Sequence, residues 1–582
     1  MPRLQVRVLP ESPLNKGLYT LIAIEIAVLS TAPCLMKHQN FFKAIVYYTW
    51  LACIAIPLLS SCSSAQPMLS VDAGARQHPI SPYIYGMNFA SETLATDLRL
   101  PLNRWGGNAV TRYNWQNDTS NRASDWFFKN IPYDNTNPDA LPGGSASDRF
   151  VAQNQATGTQ TLLTIPLIGW TPKNRGFDCG FRVSKYGPQA QVDPAEPDCG
   201  NGFQPDGVTP IVGNDPFDTS VPIDEIFVQN WINHLVGQYG TADAGGVAFY
   251  NLDNEPMLWN QTHRDIHPDA TSYDEVRDRA YQYAAAVKAI DPGAQILGPT
   301  EWGWTAYFYS ALDIERGDWQ ANPQDRNAHG GVAFVEWYLQ QMQIYEQENG
   351  VRILDFLDLH YYPQSGIAFQ PAGNAITQTL RLRSTRSLWD STYTDESWID
   401  EPVYLIPRMR DWIDNNYPGT KLAVSEYNWG ALDHINGALA QADVLGLFGR
   451  ERVDLAALWA ELNFDDPAAF AFRMYRNYDG NGSSFGDVSL SATSTDQEQL
   501  AIYAAQRSHD NALTLIVINK SENDLTGNVS LSGFTPSGNA AVYRYSEADL
   551  STIVRQPDQA VTARGFGADF PASSITLFVL TP

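Results

Sequence analysis

Cysteine and positive charge are both scarce in this sequence. Five cysteines occur in 582 residues, and Cys34, Cys53 and Cys62 fall at the very start, which leaves Cys179 and Cys199 for the folded part. A disulfide-dense scaffold is thereby excluded, and one bridge is the most the body of the chain can form. Lys and Arg number 38 against 64 Asp and Glu, a formal net charge of -26. Phosphate backbones repel such a surface, so nucleic acid is not an expected partner, whereas a neutral polymer is compatible with it. Long apolar runs are missing too: the Ala44–Leu59 stretch is too short for a permanent span, and Glu25 interrupts the earlier Leu18–Leu29 run. There is no internal repeat and no long low-complexity linker.

What is present is a globular composition, 44% hydrophobic, with 16 Trp. Most of these rings belong in a large core, but an exposed indole also matches the apolar face of a pyranose. At the N-terminus, residues 36–61 have the layout of a secretory signal, with Lys37 and Lys43 ahead of the apolar stretch. The signal closes on Leu59-Ser60-Ser61-Cys62, which resembles a bacterial lipobox and implies cleavage before Cys62 and lipidation of that thiol. Several acyl chains would anchor the protein stably, at the outer membrane or cell surface. Residues 1–35 read as an over-extended start, with Met36 the natural one. Export also predicts that Cys179 and Cys199 pair, a bridge worth about 3 kcal/mol for a loop of this length.

Residues 62–80 hold a linker and one strand that can join a C-terminal domain. Over residues 81–485, eight buried-type strand candidates alternate with helical stretches: 84–90, 100–107, 161–169, 247–253, 295–300, 355–362, 421–427 and 455–461. That is the count of a (β/α)8 barrel, an α/β fold. Over residues 486–582 the period shortens to alternating segments such as LAIYAAQR and ALTLIVINK, an antiparallel β-sandwich. A structural role suits that sandwich better than sugar binding.

Chemistry-bearing residues cluster at the C-terminal ends of the proposed barrel strands, where such barrels build their sites. The fourth ends in Asn254-Glu255-Pro256, the seventh in Ser425-Glu426-Tyr427, and the sixth carries His360 and Tyr362 on one face. The second ends in Arg104-Trp105-Gly106-Gly107-Asn108 and the eighth at Trp459. Two glutamates facing each other across a barrel mouth suit glycoside cleavage, one protonating the departing oxygen and one attacking the anomeric carbon. At ~5 Å apart they would leave no room for an inverting water.

The segments YNLDNEPMLW, RWGGNAVTRYNWQNDTSNRASDW, THRDIHP, GWTAYFYS, RSLWDSTYTDESWI and LAVSEYNWG together resemble glycoside hydrolase family 44, from about residue 80 to near 485. The resemblance implies a (β/α)8 barrel with a β-sandwich, retaining cleavage inside β-1,4-glucans such as xyloglucan or cellulose-type chains, and no catalytic cofactor. It implies Glu255 as acid/base and Glu426 as nucleophile. Asn254 would bond the sugar 2-hydroxyl, His360 and Tyr362 would tune the nucleophile, and Trp459 and Trp398 would stack on sugar. Arg104, Trp105 and Asn108 are further substrate-binding candidates. A monomer is expected.

Two other readings compete. His263 and His267 are four apart with Asp265 between them, a spacing that can present two metal ligands, although no Glu follows the first His. The Asp-rich loops between 176 and 220 are compatible with a structural calcium. A non-catalytic polysaccharide-binding lipoprotein fits the aromatics and the anchor, but gives no use to two facing glutamates.

Overall fold

The computed structural model describes residues 66–582. The leader, the alternative starts and Cys62 lie outside the described residues. Chain order begins with β1 (Met68–Asp72) and continues into eight parallel strands: β2 (Gly86–Asn88), β3 (Leu102–Trp105), β4 (Gln160–Ile165), β5 (Phe249–Leu252), β6 (Gln295–Glu301), β7 (Phe356–Tyr361), β8 (Lys421–Tyr427) and β9 (Leu455–Leu458). These eight close into a barrel in sequence order, β9 pairing back onto β2.

Each strand falls within or beside one of the eight apolar runs of the sequence. Several are shorter than their runs: β2 spans three residues and β9 four, because the polar and aromatic residues that follow turn out into the barrel mouth. The barrel floor is apolar, built from Leu102, Leu162, Phe249, Leu297, Phe356, Ala423, Leu455 and Ala457. Above that floor the inward positions turn polar, and the change of layer creates the site.

The helices pack outside. In α1 (Glu225–Tyr239), Asp224 caps the first turn and Val228, Trp231, Ile232 and Leu235 form the buried stripe at three- and four-residue spacing. In α2 (Tyr273–Ile290), Ser272 caps in the same way. By contrast α3 (Ile435–Arg450) is buried on every face from Ile435 to Gly449, since it lies between the barrel and the C-terminal sheet.

That sheet comprises β10 (Val488–Ser494), β11 (Leu500–Gln506), β12 (Leu513–Asn519), β13 (Leu525–Ser532), β14 (Asn539–Ser546), β15 (Asp549–Ala560), β16 (Gly565–Phe570) and β17 (Ser574–Leu580). With β1 the order is β15-β14-β17-β12-β11-β10-β1-β13-β16. The sheet folds over its own core, where Leu69, Val71, Val529 and Phe570 meet Leu515, Val517 and Phe578. It is antiparallel except at one seam: β1 runs parallel to β13 while antiparallel to β10. Its other face, with Tyr503, Ile516, Ile518 and Leu577, joins the main hydrophobic core of the barrel helices. Asp443 on α3 crosses that junction, accepting from Tyr503 Oη at 2.7 Å and pairing with Lys520 Nζ at 2.6 Å. Both side chains are sealed from solvent.

Candidate active site

Glu426 is the penultimate residue of β8 and Tyr362 directly follows β7, so both stand at the barrel mouth. Arg104 on β3 is fully buried, and its guanidinium makes four bonds: Nε to Asn251 Oδ1 (2.9 Å), Nη1 to Asn88 Oδ1 (3.1 Å) and to Glu426 Oε1 (2.7 Å), and Nη2 to Asn254 Oδ1 (3.2 Å). The Gly-Gly that follows is required by this arrangement. A Cβ on Gly106 would meet Arg104 Cζ at 2.2 Å, and one on Gly107, at φ +87°, would meet the Trp459 ring at 2.5 Å. Tyr362 Oη donates to the other Glu426 oxygen at 2.7 Å. Burial and the Glu426 charge push the Tyr362 hydroxyl well up, so it stays a donor.

Beneath this layer Asp358 accepts from Asn251 Nδ2 (2.6 Å), Ser425 Oγ (2.7 Å) and Ser425 N (3.0 Å), fixing β5, β7 and β8 to one another. The sequence carried no signal for Asn251 or Asp358 beyond a polar residue in an apolar strand.

Glu255 follows β5 in the left-handed region (φ 47°) and leads a short 3-10 turn, Pro256–Leu258. Its amide donates to Thr300 O at 3.0 Å, at the end of β6. Burial pushes its carboxyl up to about 7, opposed by the Arg104 charge. His360 Nδ1 lies 2.8 Å from Glu255 Oε1 and 3.4 Å from Glu426 Oε2. Burial lowers the imidazole to about 4, so at neutral pH it is an uncharged ring. With carboxylate oxygens around Nδ1, its one proton belongs on that nitrogen. Ligand-type atoms of Glu255, His360 and Glu426 all lie within 4.8 Å of one another. A carboxylate pair at that spacing has the geometry of double displacement.

The remaining candidates divide. Asn254 accepts from Gly107 N (3.2 Å) as well as Arg104, and donates to Asn108 Oδ1 at 3.1 Å; Asn108 in turn donates to Asp125 Oδ2 at 3.1 Å. Trp459 is half-buried, edge-on to Phe89 at 5.9 Å. Trp398 is 50% exposed, and Gln364 links it to the backbone of Tyr362 through 3.2 and 2.8 Å bonds. Two sugar-contact expectations need correction. Arg104 is sealed off and its guanidinium is bonded to protein groups, while His360 is fully buried beside the two carboxylates. Trp105 is only 4% exposed, wedged among Tyr113, Tyr133 and Phe150, with no open face for a pyranose.

Sequence reasoning missed two carboxyls at this end of the barrel. Asp253 is fully buried at φ 65°. Glu301, which ends β6, is equally buried with neither oxygen bonded to a side chain, and burial together with the Glu255 charge pushes it well up and favours the neutral form.

The rival metal residues point apart. His263 is buried with neither ring nitrogen bonded, His267 Nε2 meets Glu275 at 2.9 Å, and Asp265 is paired with Arg112 at 2.7 Å. The acidic loop residues have partners of their own: Asp178 with Arg182, Asp193 with Lys129, and Asp218 with Lys185. Among the described residues, the one group of three or more side chains with metal-compatible convergence is Glu255, His360 and Glu426. Cys179 and Cys199 are disulfide-bonded, with Cα atoms 5.6 Å apart, and tie the loop beyond β4.

A family model described as glycoside hydrolase family 44 matches residues 119–365. The crystal structure of CelM2, a bifunctional glucanase-xylanase from a metagenome library, superposes with a TM-score of 0.86 at 43% identity, over 89% of this chain and 99% of that one. A xyloglucanase from family 44 of Paenibacillus polymyxa superposes with a TM-score of 0.75 at 32% identity, over the same 89% and 99%. Endoglucanase A of Paenibacillus lautus is 31% identical over 517 residues, 85% of this chain and 70% of that protein.

Proposed function

The chain belongs to glycoside hydrolase family 44 and is an endo-acting glycoside hydrolase, and we propose that it cuts β-1,4-glucans by double displacement with Glu255 as acid/base and Glu426 as nucleophile. The observation that carries this reading is the facing pair itself: two carboxylates within 4.8 Å, in unlike surroundings. Glu426 receives Arg104 and Tyr362, both donors, so its environment supports an anion. Glu255, raised to about 7, still carries its proton in a substantial share of molecules at neutral pH. The carboxyl that burial raises is the one suited to give a proton, which assigns Glu255 the acid role.

In the first step Glu426 attacks the anomeric carbon while Glu255 gives its proton to the departing glycosidic oxygen. A glycosyl ester on Glu426 results, and the leaving chain departs with its new hydroxyl. In the second step the now anionic Glu255 takes a proton from water, whose oxygen attacks the same carbon and frees Glu426. The uncharged His360 donates toward the carboxylates without adding charge. Arg104 holds one Glu426 oxygen and Tyr362 the other, which fixes the line of attack.

Substrate choice follows from the cleft. Trp398 and Trp459 offer partly open rings suited to stacking on glucosyl units. The relatives are a glucanase-xylanase, a xyloglucanase and an endoglucanase. Xyloglucan and unsubstituted β-1,4-glucan are the substrates we favour, and no cofactor takes part in either step. The sequence around Cys62 supports an exported, lipid-anchored protein acting at the cell surface. Reducing-sugar release from xyloglucan, carboxymethylcellulose and xylan tests the reading. The protein should act on at least one glucan, and Glu255→Gln and Glu426→Gln should each abolish that release. Full activity in either variant would remove the assignment.

A further inference from the structure

Three consecutive residues, Asp253, Asn254 and Glu255, each reach a different neighbouring strand. The Asp253 carboxylate accepts from two successive amides just past β4, Leu167 N at 2.6 Å and Ile168 N at 3.1 Å, both on Oδ2. Its Oδ1 accepts from Asn254 N at 2.8 Å, and its own amide donates to Ile165 O at 3.1 Å. Asn254 ties the segment to the loop after β3 through Arg104 and Gly107. Glu255 ties it to β6 through Thr300 O.

The backbone of this segment is unfavourable by itself. Asp253 (φ 65°) and Glu255 (φ 47°) both occupy the left-handed region, which side-chain-bearing residues avoid. Such conformations persist only where surrounding bonds over-determine them. The double left-handed turn aims the Glu255 side chain back across the mouth instead of along the strand. The bonds of Asp253 use both oxygens of a fully buried carboxyl to which no substrate has access, and burial raises that carboxyl to about 7 against the pull of the three amides.

We propose that Asp253 is a positioning residue, whose carboxylate clamps the ends of β4 and β5 so that the Glu255 carboxyl meets the departing glycosidic oxygen. This rests on Glu255 being the acid. A residue that acts only through the acid matters when the leaving group needs a proton and is dispensable when it does not. A residue that merely supports the fold matters equally in both cases.

The test uses the full chain and compares kcat/KM, which reports the first step, on phenyl and on 2,4-dinitrophenyl β-cellotrioside. Asp253→Asn keeps the shape but replaces one acceptor oxygen with an amide nitrogen that faces amide donors. It should lose on the order of 10²-fold on the phenyl substrate, within the usual range for misplaced acid catalysis, and less than about 5-fold on the dinitrophenyl one. Glu255→Ala run alongside separates the two claims. If Glu255→Ala discriminates between the leaving groups and Asp253→Asn does not, the positioning role is overturned and the acid stands. If Glu255→Ala loses equally on both, the acid assignment itself fails. Thermal unfolding accompanies each variant. Should Asp253→Asn lack a cooperative transition, Asp253→Glu, which keeps the acceptors but displaces them by one methylene, gives the same readout. Failure of both to fold would make Asp253 a fold-holding residue and overturn the proposal.

Discussion

Arg104 Nη1 donates to Glu426 Oε1 across 2.7 Å, from the end of β3 to the end of β8, with the guanidinium fully buried and the carboxylate nearly so. The pair spans the barrel mouth and fixes the attacking carboxylate from beneath. Removing one member of such a buried pair leaves the other charge without compensation, at a cost of about 3–5 kcal/mol. Arg104→Met should lower stability by that order in denaturant unfolding and reduce kcat/KM by at least about 10²-fold. Arg104→Lys should recover little, because an ammonium cannot reproduce four bonds from three fixed nitrogens.

Activity should fall on the alkaline side. Burial holds Glu255 up at about 7, and the first step needs its proton, so kcat/KM on glucan declines as pH rises through that value. With Glu255→Gln on a dinitrophenyl glycoside, whose departure needs no acid, this alkaline limb should vanish. A pH–rate profile of both proteins checks the sign.

Glu255 also predicts a pH-dependent change in stability. Its folded value, about 7, lies above its ordinary 4.5, so the folded chain binds this proton more tightly than the unfolded one. Its favourable contribution is therefore complete below about 4.5 and is lost as pH rises through about 7. Above that range the ionised group weighs against folding by roughly 3 kcal/mol. Glu255→Gln should thus unfold at a higher temperature than the parent at pH 8 and at nearly the same temperature at pH 4.5. A melting series across that window reads the difference.

Trp398, half exposed and held through Gln364 to the strand that carries Tyr362, should serve polymer binding more than bond cleavage. Trp398→Ala should raise KM on xyloglucan by about 10-fold, equivalent to losing ~1.4 kcal/mol of stacking, with kcat little changed. Initial-rate kinetics distinguish this from an equal loss in kcat.

The eight barrel strands were legible because each is a short apolar run, and apolar runs are what a barrel wall requires. The two glutamates were legible because they stand at the C-terminal ends of such runs. Arg104 read as a sugar contact because a strand-end arginine has no visible partner in sequence, and Glu426 stands 322 residues away. Trp105 failed for a related reason: the rings that bury it come from residues 113, 133 and 150, which approach only on folding. Asp253 drew no reading, since nothing local reveals that Leu167 and Ile168 present their amides to it. The parallel seam of β1 with β13, about 460 positions apart, is likewise set by packing and leaves no local mark.

The covalent intermediate is the most direct object to measure. The protein is incubated with 2-deoxy-2-fluoro-β-cellotriosyl fluoride, whose good leaving group forms the glycosyl ester and whose fluorine slows its hydrolysis, and the digest is read by mass spectrometry. One glycosyl unit should appear per chain, on the peptide containing Glu426, and none in Glu426→Gln. A label on Glu255 or another residue, or no label with release of the inverted anomer from substrate, would contradict double displacement through this pair.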